Sequence, residues 1–213
     1  MRLVELYFSY VSPYSQKVLI ALYEKKLPFV GKLVNLADKA DVAEYKAIFP
    51  LGKVPLLVTD HRQLVPESSI IIEYLDEVEP SRPLIPKDYE QARSVRLWDR
   101  LSDQYLSAPV INMLFESRKP AGQQNHANIE RWSQQLGTMY RMIDDQLARY
   151  PYLASAEFSM ADCAALPALH YSSQFASLKG FTRLSAYYES LMLRASAMRV
   201  MDDAAPYITA FLD

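Results

Sequence analysis

Arg2-Leu3-Val4-Glu5-Leu6-Tyr7-Phe8, followed by Ser12-Pro13-Tyr14-Ser15-Gln16-Lys17-Val18, decides how the first third of this sequence folds. The first segment alternates with the period of a strand. In the second, serine before proline reads as a helix N-cap with proline in the first turn, and Val18 to Tyr23 is the apolar heart of that helix. Working outward, Phe29 to Val34 is a second strand, entered through Leu27-Pro28, and Val42 to Ile48 is a weaker helix. Pro55 to Thr59 and Gln63 to Val65 read as short strands around the turn Asp60-His61-Arg62. Ser68 to Glu77 is a helix, with Ile71, Tyr74, Leu75 and Val78 at helical spacing. The order β-α-β-α-β-β-α predicts a small mixed sheet with helices on both faces.

Residues 79–88, Glu-Pro-Ser-Arg-Pro-Leu-Ile-Pro-Lys-Asp, suit a linker, because proline blocks helix continuation and stiffens an extended path. Beyond it the strand signals vanish. The expected division is therefore an α/β domain over 1–78, the linker over 79–88, and an all-helical domain over 89–213. Leu97, Leu101, Tyr105 and Ala108 mark one face of a helix that Pro109 kinks. Ile129, Trp132, Leu136, Met139, Ile143 and Leu147 step by three and four, the clearest amphipathic helix in the chain. Further helices are expected over 160–175, 182–194 and 196–204.

Composition narrows the chemistry. Half of the 213 residues are apolar and 23% charged, enough for a core without disulfides or metals. The single cysteine, Cys163, allows no intrachain disulfide. The N-terminal segment lacks the basic start and long apolar stretch of a signal peptide, and no apolar run reaches the ~18 residues of a membrane span. A cytoplasmic location is the resulting expectation. A net charge of −2, with both signs dispersed, leaves no footprint for nucleic acid. His61, His126 and His170 lie far apart with no second ligand at metal-binding spacing, so no metal is expected. Five scattered glycines write neither a phosphate loop nor a dinucleotide fingerprint.

Four short motifs carry what chemistry there is. At Ser12-Pro13, unpaired backbone N–H groups and the positive end of a helix dipole face whatever sits above Ser12, an environment that favours an ionised sulfur. The alternative is a serine that does no more than cap the helix. In Leu51-Gly52-Lys53-Val54-Pro55-Leu56-Leu57, proline enters a strand. Either the Val54–Pro55 bond is cis and turns the Val54 backbone outward to pair with a peptide ligand, or an ordinary trans proline starts an edge strand. In Pro66-Glu67-Ser68-Ser69, Ser68 offers a hydroxyl and a backbone N–H to a carboxylate while Glu67 accepts from an ammonium group; a capped helix with an acidic first turn is the alternative. Ser159-Met160-Ala161-Asp162 has the form of a capping box, with Phe158 and Cys163 placed for a hydrophobic staple.

Taken in order, Ser-Pro-Tyr-Ser, Gly-Lys-Val-Pro, Glu-Ser at a helix start and Phe-Ser-Met-Ala-Asp resemble the cytosolic glutathione S-transferases, as do Glu73-Tyr74-Leu75-Asp76-Glu77 and the proline-rich linker. The resemblance implies a thioredoxin-like domain binding glutathione as co-substrate, an all-α domain shaping a site for a small hydrophobic electrophile, and a homodimer. It gives Ser12 the role of the serine that hydrogen-bonds the glutathione sulfur in zeta- and theta-like enzymes, with Tyr7 as second choice. Val54, before Pro55, is implied to pair with the cysteinyl backbone, Glu67 and Ser68 to hold the γ-glutamyl end, and Lys53 and Lys39 to reach the glycyl carboxylate. Tyr105, Met113 and Phe115 are expected to offer apolar surface to the electrophile. The absence of a cysteine near residue 12 disfavours the glutaredoxin-like chemistry of the omega and beta classes. The segments Glu67 to Glu77, Pro151 to Leu153 and Phe158 to Cys163 are also similar to stringent starvation protein A. That similarity implies a second reading, a non-catalytic protein of the same fold that associates with RNA polymerase.

Overall fold

The computed structural model describes residues 4–120 and 122–212. Its elements are β1 (Val4–Phe8), α1 (Pro13–Lys25), β2 (Phe29–Leu33), α2 (Lys39–Ile48), β3 (Leu56–Val58), β4 (Leu64–Pro66) and α3 (Ser68–Val78), then α4 (Tyr89–Ser102), a π-helical segment (Asp103–Ser107), α5 (Ala108–Ser117), α6 (His126–Gln146), α7 (Met160–Ser172), α8 (Thr182–Met192) and α9 (Ala195–Leu212). The expected β-α-β-α-β-β-α order is observed, and every later element is helical. Arg2 and Leu3, the expected start of the first strand, lie outside the described residues.

The chain forms two compact units, Met1–Leu84 with Ala195–Asp213, and Ile85–Arg194. In the first, the sheet order is β2-β1-β3-β4, with β1 parallel to β2 and antiparallel to β3. Val4, Leu6 and Phe8 are buried while Glu5 and Tyr7 are half-buried, the alternation a pleated strand imposes. On the Tyr7 face, Val34, Tyr45, Leu56 and Val58 form a core under α2. α1 packs against both α3 and α9. A buried ammonium ties this layer together: Lys25 Nζ donates to Asp76 Oδ1 and to the carbonyls of Glu79 and Arg82, each at 2.7 Å. Asp76 also accepts from the Leu84 backbone N–H, so the 79–84 segment is tethered to α3 although it has no regular structure.

The second unit is built around α7, nearly all of whose residues are buried. α7 packs against α4, the π-helical segment and α8. Ala92, Val95, Trp98, Asp99 and Ser102 are the buried residues of α4, and Leu106 lies beyond them in the π-helical segment. The expectation that Leu97 and Tyr105 mark the apolar face is corrected here: they are 54% and 44% exposed. Three- and four-residue steps run along both sides of a helix, and the polar Asp99 and Ser102 lie on the buried side, which masks its pattern. The π-helical segment ends just before Pro109, and its wider turn supplies the break expected there.

The capping box at α7 forms as its sequence implies. Asp162 Oδ2 accepts from the Ser159 backbone N–H at 2.9 Å, and Oδ1 accepts from the Leu153 N–H at 3.0 Å and the Tyr187 hydroxyl at 2.6 Å. Burial pushes the Asp162 carboxyl up, and these donors act against it. Phe158, the expected staple residue, packs edge-on to Tyr152 and lies under the Arg194 guanidinium, 3.9 Å from its ring centre. Asp162→Ala would strand two backbone donors and a buried phenol. It is expected to cost about 3 kcal/mol or more, read as a lowered denaturation midpoint; an unchanged midpoint would mean that water replaces the carboxylate.

Candidate functional site

Strand register gathers the N-terminal motifs. Tyr7 pairs with Leu56, and Leu56 with Pro66. The end of β1, the start of β3 and the end of β4 therefore share one end of the sheet. Ser9 to Ser12, Val54-Pro55 and Glu67-Ser68 adjoin those strand ends directly. β2 runs parallel to β1 and finishes there too, with the Val34 N–H bonded to the Phe8 carbonyl at 2.7 Å.

Ser12 is the N-cap of α1, with extended backbone and 9% exposure. Its Oγ accepts from the Ser15 N–H at 3.3 Å. Capping uses the hydroxyl as an acceptor and leaves its O–H to donate elsewhere, so the capping role and a role toward a ligand are compatible. The loop before it is held by the Ser12 N–H on the Ser9 carbonyl at 3.1 Å and the Ser9 N–H on Ser15 Oγ at 3.3 Å.

The Val54–Pro55 bond is cis, the first of the two expected geometries. Pro55 is buried and Lys53 exposed. The Lys53 carbonyl accepts from the Tyr45 hydroxyl at 2.6 Å, and the Tyr45 ring stacks on Tyr7 at 5.7 Å between centres. Burial pushes the Tyr45 phenol up, so it stays a donor. Tyr7 thus faces the α2 side of the sheet, whereas Ser12 opens α1 on the other.

Glu67 has φ 70° and makes no side-chain cap bond to α3. A non-glycine residue in this region carries a conformational cost of roughly 1–3 kcal/mol, and such residues cluster at ligand sites. Ser12, Asp38, Asp88 and Asn125, by contrast, each cap their helix through the side chain. Ser68, the first residue of α3, is 5% exposed. Lys39, the first residue of α2, is exposed.

Of the residues expected to meet an electrophile, Met113 is 4% exposed and sits inside the second unit, while Tyr105 and Phe115 present surface. Among the described residues no group of three or more His, Cys, Asp or Glu is arranged to hold a metal, and no helix is long and apolar enough to cross a membrane. Gln16 and Lys17 lie within the first motif, but the sequence assigns them no role. Both are fully buried. Gln16 donates to the Tyr10 carbonyl at 2.6 Å, and Lys17 donates to Ser69 Oγ at 2.9 Å, joining the second turn of α1 to the first of α3. Two polar residues directly before the apolar run Val18 to Leu22 are the available signal.

The arrangement is a thioredoxin-like sheet with two helix N-termini at one end, joined in one chain to an all-helical unit. Comparison with known proteins agrees. Residues 6–83 match the glutathione S-transferase N-terminal domain and residues 127–190 the glutathione S-transferase C-terminal domain. Human glutathione S-transferase omega-2 is 30% identical over 182 residues, 78% of this chain and 73% of that protein. A probable maleylacetoacetate isomerase 2 of Drosophila melanogaster is 28% identical over 80% of this chain and 74% of its own length. The crystal structure of a glutathione S-transferase from Methylobacillus flagellatus, solved with glutathione bound, superposes with a TM-score of 0.84 at 32% identity, covering 92% of this chain and 98% of that one. The chain belongs to the glutathione S-transferase family.

Tyr45→Phe removes the phenolic donor to the Lys53 carbonyl while keeping the ring stack. It is expected to cost about 1 kcal/mol and to speed amide exchange at Lys53 and its neighbours, measured by hydrogen exchange; unaltered exchange would detach this bond from the site's geometry.

Proposed function

We propose that the protein is a glutathione transferase that ionises the glutathione thiol beside Ser12 and delivers it to a small hydrophobic electrophile, by conjugation, isomerisation or reduction. The observation that carries this reading is Ser12 at the N-terminus of α1, its Oγ accepting from the Ser15 N–H and its O–H left as a donor. A hydrogen bond and the positive helix end both favour the thiolate over the thiol, which lowers the pKa of the sulfur. The family membership and the glutathione-bound relative support it.

In this reading the Val54 backbone pairs with the cysteinyl residue of glutathione. Glu67 accepts from the γ-glutamyl ammonium, and Ser68 with the α3 N-terminus receives its carboxylate. The exposed ammonium groups of Lys53 and Lys39 serve the glycyl carboxylate. Tyr7 is the second candidate for the sulfur, and Tyr105 and Phe115 are the candidates for contact with the electrophile. A cytoplasmic homodimer is the form in which we expect the protein to work.

Two measurements test the proposal. Isothermal titration with reduced glutathione should give saturable binding; no heat at millimolar ligand would favour the second reading, a non-catalytic protein associating with RNA polymerase. Ser12→Ala should lower turnover of a chloronitroaromatic substrate about 10- to 100-fold with little change in glutathione affinity, the loss of one hydrogen bond to a charged group. Its pH profile should move to higher pH by roughly 1–2 units, because the thiol then ionises later. Unchanged turnover in Ser12→Ala, with a loss in Tyr7→Phe, would transfer the role to Tyr7.

A further inference from the structure

A second recess lies in the first unit, away from the Tyr7 face. β2 is bonded to β1 alone, and among the described residues no strand lies along its other side. Beside it opens a cavity of about 810 Å³ whose β2 contribution is Phe29, Gly31 and Leu33. These are alternate residues, so one face of the edge strand forms one wall of the cavity. Gly31 shapes its floor. A Cβ there would stand 3.1 Å from the Phe8 ring, so glycine is what lets that ring lie down against the strand. The opposite wall is α9. Arg199 lies 4.2 Å over the Tyr23 ring, and Tyr207 stacks on Tyr10 at 4.8 Å.

The charge of the lining residues is one-sided. Arg199 and Lys26 both line the cavity, and no carboxylate is among its lining residues. Asp203 is not among them, although, after burial itself, its charge helps push the Tyr10 and Tyr23 phenols up. Aromatic surface, two cations and an unpaired strand edge thus meet in one place.

We propose that β2 and this cavity form a docking site for an extended segment of a partner protein. The segment pairs with β2 as an added strand and carries carboxylate and aromatic side chains at alternate positions. Backbone pairing follows from the open edge, because its outward N–H and C=O groups, otherwise left to water, are a template for an added strand. The side-chain chemistry comes from the period of two. Residues of the added strand on the Phe29, Gly31 and Leu33 face point into the cavity, where a ring finds Phe8 and Tyr207 and a carboxylate finds Arg199 or Lys26. The site uses neither Ser12 nor Glu67, so it is independent of glutathione.

The test uses the full chain and an acetylated, amidated peptide, Ser-Glu-Thr-Phe-Thr-Glu-Thr-Ser, with its phenylalanine and glutamates on one face. Saturable binding is expected by titration calorimetry, with the largest amide NMR shifts at residues 29–33 and no competition from glutathione. Arg199→Gln should weaken binding about tenfold. Gly31→Val, which lifts the Phe8 ring into the cavity, should weaken it at least as much while leaving Ser12-dependent turnover unchanged. The same peptide N-methylated at its backbone should not bind. Equal binding of the methylated peptide would reduce the site to a pocket for side chains and overturn strand addition. Absence of saturation at millimolar peptide, or affinity indifferent to both variants, would also overturn the proposal. So would a change in oligomeric state in Gly31→Val with peptide affinity intact, which would assign the edge to a second copy of the chain.

Discussion

Leu56 is paired on both sides, to Tyr7 in β1 and to Pro66 in β4, and the candidate site rests on that row. Because the side-chain period of a strand is two, a slip of one residue would turn Tyr7 off the α2 core and move every motif relative to its neighbours. With the register held, α1 and α3 begin at the same end of the sheet. Each helix start carries roughly half a positive charge, so the two together make that end hospitable to anions before any side chain is considered. The chemistry proposed for Ser12 is a local use of this wider field.

Apolar packing is non-directional, and the polar joints give it geometry. Lys25 is fully buried at its ammonium yet satisfied by one carboxylate and two carbonyls. Lys17 reaches Ser69 from the second turn of α1. Asp162 gathers a helix start, the Leu153 backbone and the Tyr187 phenol. In each case a charged or carboxyl group holds a segment that has no sheet to belong to. Groups of this kind are costly to strand and are satisfied only in one arrangement, so they select that arrangement among the many that would bury similar apolar area.

Local patterns make most of the first unit legible. Alternation writes β1, serine and proline write the start of α1, and Ile71 with Leu75 writes α3. The Asp162 box is legible too, since its two partners are three residues apart. α7 is legible as well: the helix expected over 160–175 is found at Met160–Ser172 although it is buried nearly all round. What escapes depends on distance or on a polar inner face. In α4, buried Asp99 and Ser102 make the true inner face look polar, and Leu97 and Tyr105 stand out in its place. Lys17 meets Ser69 and Arg199 meets Tyr23 only because the chain returns, and no window of sequence contains both partners. The cavity beside β2 escapes for the same reason, with its walls drawn from opposite ends of the sequence.

α9 belongs to the unit that begins at the other end of the sequence. A ribosome releases β1 to α3 first, then the whole of Ile85–Arg194, and only afterwards the helix that packs on α1. During that interval the outer side of α1, with Tyr23 and Glu24, faces water or a chaperone in place of Arg199 and Ser196. The closing entropy of so long a detour grows only logarithmically with its length, so the delay is one of timing more than of stability. The nascent first unit is thus an incomplete body with one apolar side open, and α9 serves as the latch that completes it.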